Sequence, residues 1–97
     1  MSTEIECWSA RIRGKVQGVG YRDTCAHQAK RLGVTGWVRN RLDGSVEAVL
    51  LGPRDQLHRM KAWLRRGPPT ARVEEVLVQK LEPPFPEFER FERRPTE

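Results

Sequence analysis

Residues 14–22 read GKVQGVGYR, and the hydrophobic period of the chain changes across them. Before them, from Ile5, apolar and polar residues alternate. Trp8, Ala10 and Ile12 share one face of a strand, with Ser9, Arg11 and Arg13 on the other. After Arg22 the small apolar residues fall at helical spacing: Cys25, Ala29 and Leu32, with Ala26 alongside. Gly33 stands where a helix closes on a left-handed residue. The stretch is the turn from a half-buried strand into a helix over about residues 21–32.

Working outward, TGWVRN and SVEAVLL flank a short Asp-Gly connection, the pattern of a hairpin whose second strand turns Val46, Ala48 and Leu50 inward. Gly52-Pro53 ends that strand, and Pro53 suits the first turn of a second helix. Leu57, Met60 and Leu64 form that helix's stripe with Trp63 at its flank, and RRGPP stops it. ARVEEVLVQKL is a further strand, with Glu74-Glu75 its solvated start. Phe85, Phe88 and Phe91 keep a helical spacing, but the prolines around them oppose a helix. PPFPEF therefore reads as a rigid connection, FERFERR as a final edge strand, and ERRPTE as frayed beyond Arg94. The order is βαββαβ plus a short C-terminal strand. Right-handed crossovers put both helices on one face of an antiparallel sheet, an α+β, ferredoxin-like split βαβ sandwich.

The 97 residues have room for one core, so a single domain over 1–97 is expected. Cys7 and Cys25 are too few for a secreted disulfide framework and read as reduced, packed thiols. No His/Cys cluster has zinc spacing, so no metal is expected. The opening residues lack a signal-peptide pattern and the apolar runs are short, which points to a cytoplasmic protein without a membrane span. Fourteen arginines against four lysines contribute to a net charge of +5, a surface that attracts anions without choosing among them. His27 and His58 fall on helix faces, far from any ligand spacing. Trp8, Trp37 and Trp63 read as core or flank residues.

Gly14, Gly18 and Gly20 give the loop a chemistry beyond turning. Backbone that adopts positive φ can turn successive N–H groups inward as an anion nest, and the helix start that follows adds unpaired N–H groups and its dipole. Arg22 adds a planar fork of donors suited to two phosphate oxygens. The pattern is neither the Walker loop, which needs Lys-Ser or Lys-Thr, nor the dinucleotide loop. The alternative is a tight strand–helix turn carrying a surface arginine. Asn40 ends the strand after the first helix, at the same edge as the glycine loop. Its side-chain amide, both donor and acceptor, suits either a turn or the holding of a water.

GKVQGVGYR and GWVRNRLDGSVEAVLLG, in this order, resemble the two signatures of the acylphosphatase family. The "GP" opening the second helix and the later RRGPPTARVEEV also fit, so the resemblance covers about residues 5–94. It implies an enzyme that hydrolyses the carboxyl–phosphate mixed anhydride of small acyl phosphates, without metal or cofactor. It further implies that the amides of Gln17, Gly18, Val19, Gly20 and Tyr21, with Arg22, bind the phosphoryl group, and that Asn40 orients the attacking water. Inorganic phosphate is expected as product and inhibitor, and a monomer as the working form. Two positions depart from the pattern. Asp23 would repel bound phosphate and is expected to point away, while Arg41 could alter how Asn40 is held or add charge at the rim. A phosphate oxygen is expected to accept the water's proton, since no histidine or acid pair accompanies the motifs. The acyl group stays open among acetyl, carbamoyl and glyceroyl.

Two rival functions have weaker support. Ferredoxin-like sheets also bind RNA through exposed aromatics, but Ser9, Arg11 and Arg13 beside Glu47, Val49 and Leu51 offer no stacking platform. Nucleic acid is therefore not an expected partner. A regulatory domain of a larger carbamoyl-transferring enzyme is the other, and free-standing catalysis is favoured over it.

Overall fold

A computed structural model describes residues 4–97. The expectations that fall on residues 1–3 lie outside it. Strands β1 (Ile5–Lys15), β2 (Thr35–Asn40), β3 (Val46–Pro53), β4 (Arg72–Lys80) and β5 (Phe91–Arg93) alternate with helices α1 (Tyr21–Leu32) and α2 (Arg54–Arg66) in the expected order. They form one sheet in the order β4-β1-β3-β2-β5. The pairings β1·β3, β1·β4 and β2·β3 are antiparallel.

The core follows the alternation. Trp8, Ala10 and Ile12 of β1, Val38 of β2, and Val46, Ala48 and Leu50 of β3 are buried against Cys25 and Ala29 of α1 and Leu57, Met60 and Leu64 of α2. Both helices therefore cover one face of the sheet. Each stripe is short of apolar area alone, and the helices are held chiefly by this shared burial. Deleting a fully buried side chain such as Leu57 to alanine is expected to cost ~2–5 kcal/mol. α1 spans the residues its capping signals predict, with Gly33 closing it at φ 70°.

Several details correct the sequence reading. Pro53 does not enter the helix; it is the N-cap residue of α2 and pairs with Ile5 at the end of β3, because its extended ψ of 138° continues the strand. Only Phe91–Arg93 of the terminal segment forms a strand, and it runs parallel to β2, making the sheet mixed at that edge. The parallel sense follows from geometry: residues 81–90 carry the chain from the β4 edge to the opposite edge before β5 begins beside Gly36. The tail is not frayed. Arg94 N–H donates to the Val38 carbonyl at 2.8 Å, Glu97 N–H to the Asn40 carbonyl at 3.1 Å, and Glu97 pairs with Arg39. Backbone partners on the open side of β2 hold it.

Trp37 is not a core residue. Val38 faces the helices, so alternation turns Trp37 to the open face, where the guanidiniums of Arg39 and Arg94 stand 4.7 and 4.9 Å from its ring centroid. Trp8 and Trp63 are buried as expected, and His58 lies edge-on to Trp8.

Candidate active site

The loop between β1 and α1 is strung between two buried side chains, Val16 and Tyr21, each 1% exposed. The Tyr21 hydroxyl donates to the Leu64 carbonyl at 2.7 Å, tying the start of α1 to α2, and burial raises the phenol far above its ordinary pKa, so it remains a neutral donor. Between these anchors Gly18 and Gly20 take φ of 72° and 80°, left-handed conformations that a residue with a Cβ disfavours. Gly20 is the N-cap of α1 and has no side chain with which to cap it. The Thr24 N–H and hydroxyl both return to the Gly20 carbonyl, at 3.1 and 2.8 Å, closing the first turn. The first N–H groups of the helix are left without an intrahelical acceptor and point out of its N-terminus.

Three hydrogen bonds from two side chains hold this loop against its surroundings. Gln17 Nε2 donates to the carbonyls of Arg41 and Ser45, both at 2.8 Å, stapling the loop to the β2–β3 connection. Thr70 donates its hydroxyl to the Val19 carbonyl at 2.7 Å. That connection is itself braced by Asp43, whose Oδ1 accepts from the Ser45 N–H at 2.9 Å and hydroxyl at 2.6 Å. These bonds, with nearby Arg13 and Arg11, hold the Asp43 carboxyl below its ordinary pKa.

A pocket of about 130 Å³ opens over the helix N-terminus. Gly18, Gly20, Tyr21 and Arg22 line it from the loop side, Asn40 from the end of β2, and Val16 from beneath. The two signatures, eighteen residues apart from Arg22 to Asn40, thus meet at one cavity. The side chains of Gln17 and Val19 are engaged elsewhere: Gln17 serves the staple, and Val19 packs on the core. Arg22 donates from Nη1 to the Arg94 carbonyl at 3.3 Å, which holds one end of its guanidinium against the terminal segment. Asn40 is 9% exposed, and its Oδ1 has no hydrogen-bond partner among the described residues.

Asp23 lines the pocket too, contrary to the expectation that it points away. Arg93 of β5 draws the carboxylate to the rim through an ion pair, and Arg93 lines the same pocket. The sequence reading passed over Arg93. Alternation in FERR does put it on the face opposite Glu92, but the parallel pairing of Val38 with Arg93, which brings it near Asn40, has no local signal. Arg41 turns away, pairing with Glu47 at 3.6 Å, and adds no charge to the pocket. With Asp23 and Arg93 paired, the site carries the uncompensated charge of Arg22 plus the helix N-terminus, a field suited to a small anion. Cys25 offers no nucleophile: it is fully buried, and burial pushes its thiol up to about 12.

Among known proteins, residues 8–93 match the family model described as Acylphosphatase. The chain is 57% identical over 86 residues to Acylphosphatase 1 of Ralstonia nicotianae, covering 89% of this chain and 84% of that protein. It is 51% identical over 91 residues to an acylphosphatase of Polaromonas naphthalenivorans, covering 94% and 90%. A solved acylphosphatase structure from Coxiella burnetii superposes with a TM-score of 0.88 at 36% identity, over 93% of each chain.

Proposed function

The chain belongs to the acylphosphatase family, hydrolases that cleave the mixed anhydride of small acyl phosphates, and from that premise we propose how its residues divide the work. The phosphoryl group sits on the amides of residues 17–21 above the N-terminus of α1, gripped by the Arg22 guanidinium. Asn40 holds the attacking water. The family's reaction leaves little covalent work for the protein: charge spreads over the phosphoryl oxygens, and prepositioned N–H groups and a guanidinium stabilise it. The water's proton passes to a phosphoryl oxygen, consistent with a pocket whose lining holds no histidine and whose one carboxylate, Asp23, is paired with Arg93.

The observation that carries this reading is the buried, unpartnered Asn40 Oδ1 in the same pocket as Arg22 and the helix N-terminus. A buried acceptor without a donor costs stability unless water or ligand supplies one. An ordered water there would sit within reach of a phosphorus bound over the loop. We further propose that residues 1–97 act as one domain, as a monomer in the cytoplasm, with inorganic phosphate as a competitive product inhibitor. No helix among the described residues is long and apolar enough to cross a membrane.

Release of phosphate from acetyl or benzoyl phosphate, measured with a chelator present, tests the assignment. Arg22→Ala is expected to lose phosphate inhibition along with activity. Asn40→Ala should lower turnover by ~10²–10³, the range for a lost donor at an oxyanion site, while inhibition by phosphate persists. An active Asn40→Ala enzyme would retire the water-holding role.

A further inference from the structure

The proposed division of labour leaves Asp23 and Arg93 without a part, although both line the pocket. As a purely structural contact the pair is weak: the side chains are 68% and 50% exposed, and exposed ion pairs contribute little to stability. Asp23 alone would be harmful, since a carboxylate at the first turn of α1 stands beside the site of a dianion. Arg93 cancels that charge, and through one nitrogen only, Nη1 to Oδ1. A guanidinium has five N–H donors, so others stay free for the cavity it lines.

The size of the pocket says which part of a substrate reaches them. At about 130 Å³ it falls below the ~300–1,000 Å³ of pockets that enclose whole ligands. A phosphoryl group fills it, and the acyl group must project through the mouth. Asn40, 9% exposed, stands inside, and the half-exposed Arg93 stands at the rim.

We propose that Arg93 is a catalytic residue that hydrogen-bonds the acyl oxygens and stabilises the carboxylate as it departs, with Asp23 as the positioning residue that holds its guanidinium. This rests on the phosphoryl site described above. In the step itself water adds to phosphorus and the bond from phosphorus to the acyl oxygen breaks. The electron pair stays on that oxygen, and one proton of the water moves to the phosphoryl group. An acyl phosphate dianion and water thereby give a carboxylate monoanion and dihydrogen phosphate. The negative charge gathering on the acyl oxygen is what a rim guanidinium would meet. Charge-assisted hydrogen bonds are the stronger kind, and this one grows as the bond breaks, so it favours the transition state over the ground state.

The test is a series of ring-substituted benzoyl phosphates, whose leaving carboxylates differ in basicity, hydrolysed by wild type, Arg93→Gln, Arg93→Lys and Asp23→Asn. Arg93→Gln is expected to lower kcat/KM about tenfold for the most basic leaving group, less than for a buried oxyanion donor. The loss should shrink as the leaving group improves, so that the dependence on leaving-group pKa becomes steeper. Arg93→Lys should recover part of the rate. The inhibition constant for inorganic phosphate should stay within about twofold of wild type in the double variant Asp23→Asn/Arg93→Gln, where no uncompensated carboxylate is left and the product phosphate lacks the acyl oxygens. Asp23→Asn breaks the same ion pair but keeps the guanidinium, and should steepen the slope by less than Arg93→Gln does; a wild-type slope in Asp23→Asn would remove its positioning role. Equal losses in Arg93→Gln and Asp23→Asn, uniform across the series, would reduce the pair to a structural contact and overturn the proposal. An unchanged Arg93→Gln enzyme would do the same. Should wild type itself leave every benzoyl phosphate intact, the phosphoryl-site reading fails first, an outcome distinct from either.

Discussion

Asn40 holds a buried amide oxygen that no donor among the described residues reaches, a circumstance that ordinarily costs ~1–3 kcal/mol. If that cost is accepted for the sake of a water, removing the amide should relieve it. Asn40→Ala is therefore expected to unfold at the same urea midpoint as wild type or a higher one, while its turnover collapses. A fall in the midpoint would mean the amide makes a stabilising contact. Asp43 carries the opposite sign. The Ser45 hydroxyl and N–H hold its folded pKa below 3.8, so its contribution is complete above that value and is lost as pH falls through the depressed pKa. Melting temperatures followed from neutral pH down to about pH 2 should show wild type above Asp43→Asn at neutral pH, with the gap closing in acid. Residue identity made Arg22 and Asn40 legible as candidates, and the fold brings both to one pocket. Asp23 was misread because a helical offset of about 100° sets where a side chain starts, whereas the distant Arg93 decides where it ends.

At the scale of elements, α1 shows what local signals determine. Its first and last residues were readable because a period change, an N-terminal glycine loop and a C-terminal glycine all act within a turn of the boundary. Gly20 is the strictest of these. An added Cβ would meet nothing within 4 Å, so the objection to alanine is conformational, roughly 1–2 kcal/mol for a left-handed L-residue. Gly20→Ala is expected to lower stability by about that amount and to weaken inhibition by inorganic phosphate, through N–H groups that no longer converge. Retained phosphate affinity would show that the loop amides do not bind it. The terminal strand and tail were hard to read for the reverse reason. Phe91–Arg93 is too short to show a period, and its partner β2 lies more than fifty residues earlier. No local pattern announces a parallel neighbour at that distance, and the hydrogen bonds of Arg94 and Glu97 to β2 follow from that pairing alone.

Over the whole molecule, topology gathers charge at one end. β1 finishes, α2 finishes and β4 begins at the end that carries the pocket. Lys15, Arg65, Arg66 and Arg72 stand there without ion pairs among the described residues. Unpaired cations around an anion site raise the encounter rate with dianionic substrates, and salt screens the effect over about 10 Å at 0.1 M. kcat/KM for acetyl phosphate is expected to fall as sodium chloride rises from about 10 to 500 mM, with kcat changing less. A flat profile would leave these cations without a kinetic role. The strand order was legible because right-handed crossovers allow few arrangements of βαββαβ, while the open face was not, since Trp37 offers the same letter to either side of a sheet.

One carboxamide has a consequence for anyone wishing to transplant this site. Gln17 reads the spacing of the β2–β3 connection through two carbonyls at once, both at 2.8 Å. A graft that lengthened or shortened that connection by a single residue would carry one carbonyl out of reach, and the two halves of the site would drift apart even with every reactive group present. The signatures are therefore one heritable unit, and the length of an unremarked hairpin is part of its grammar.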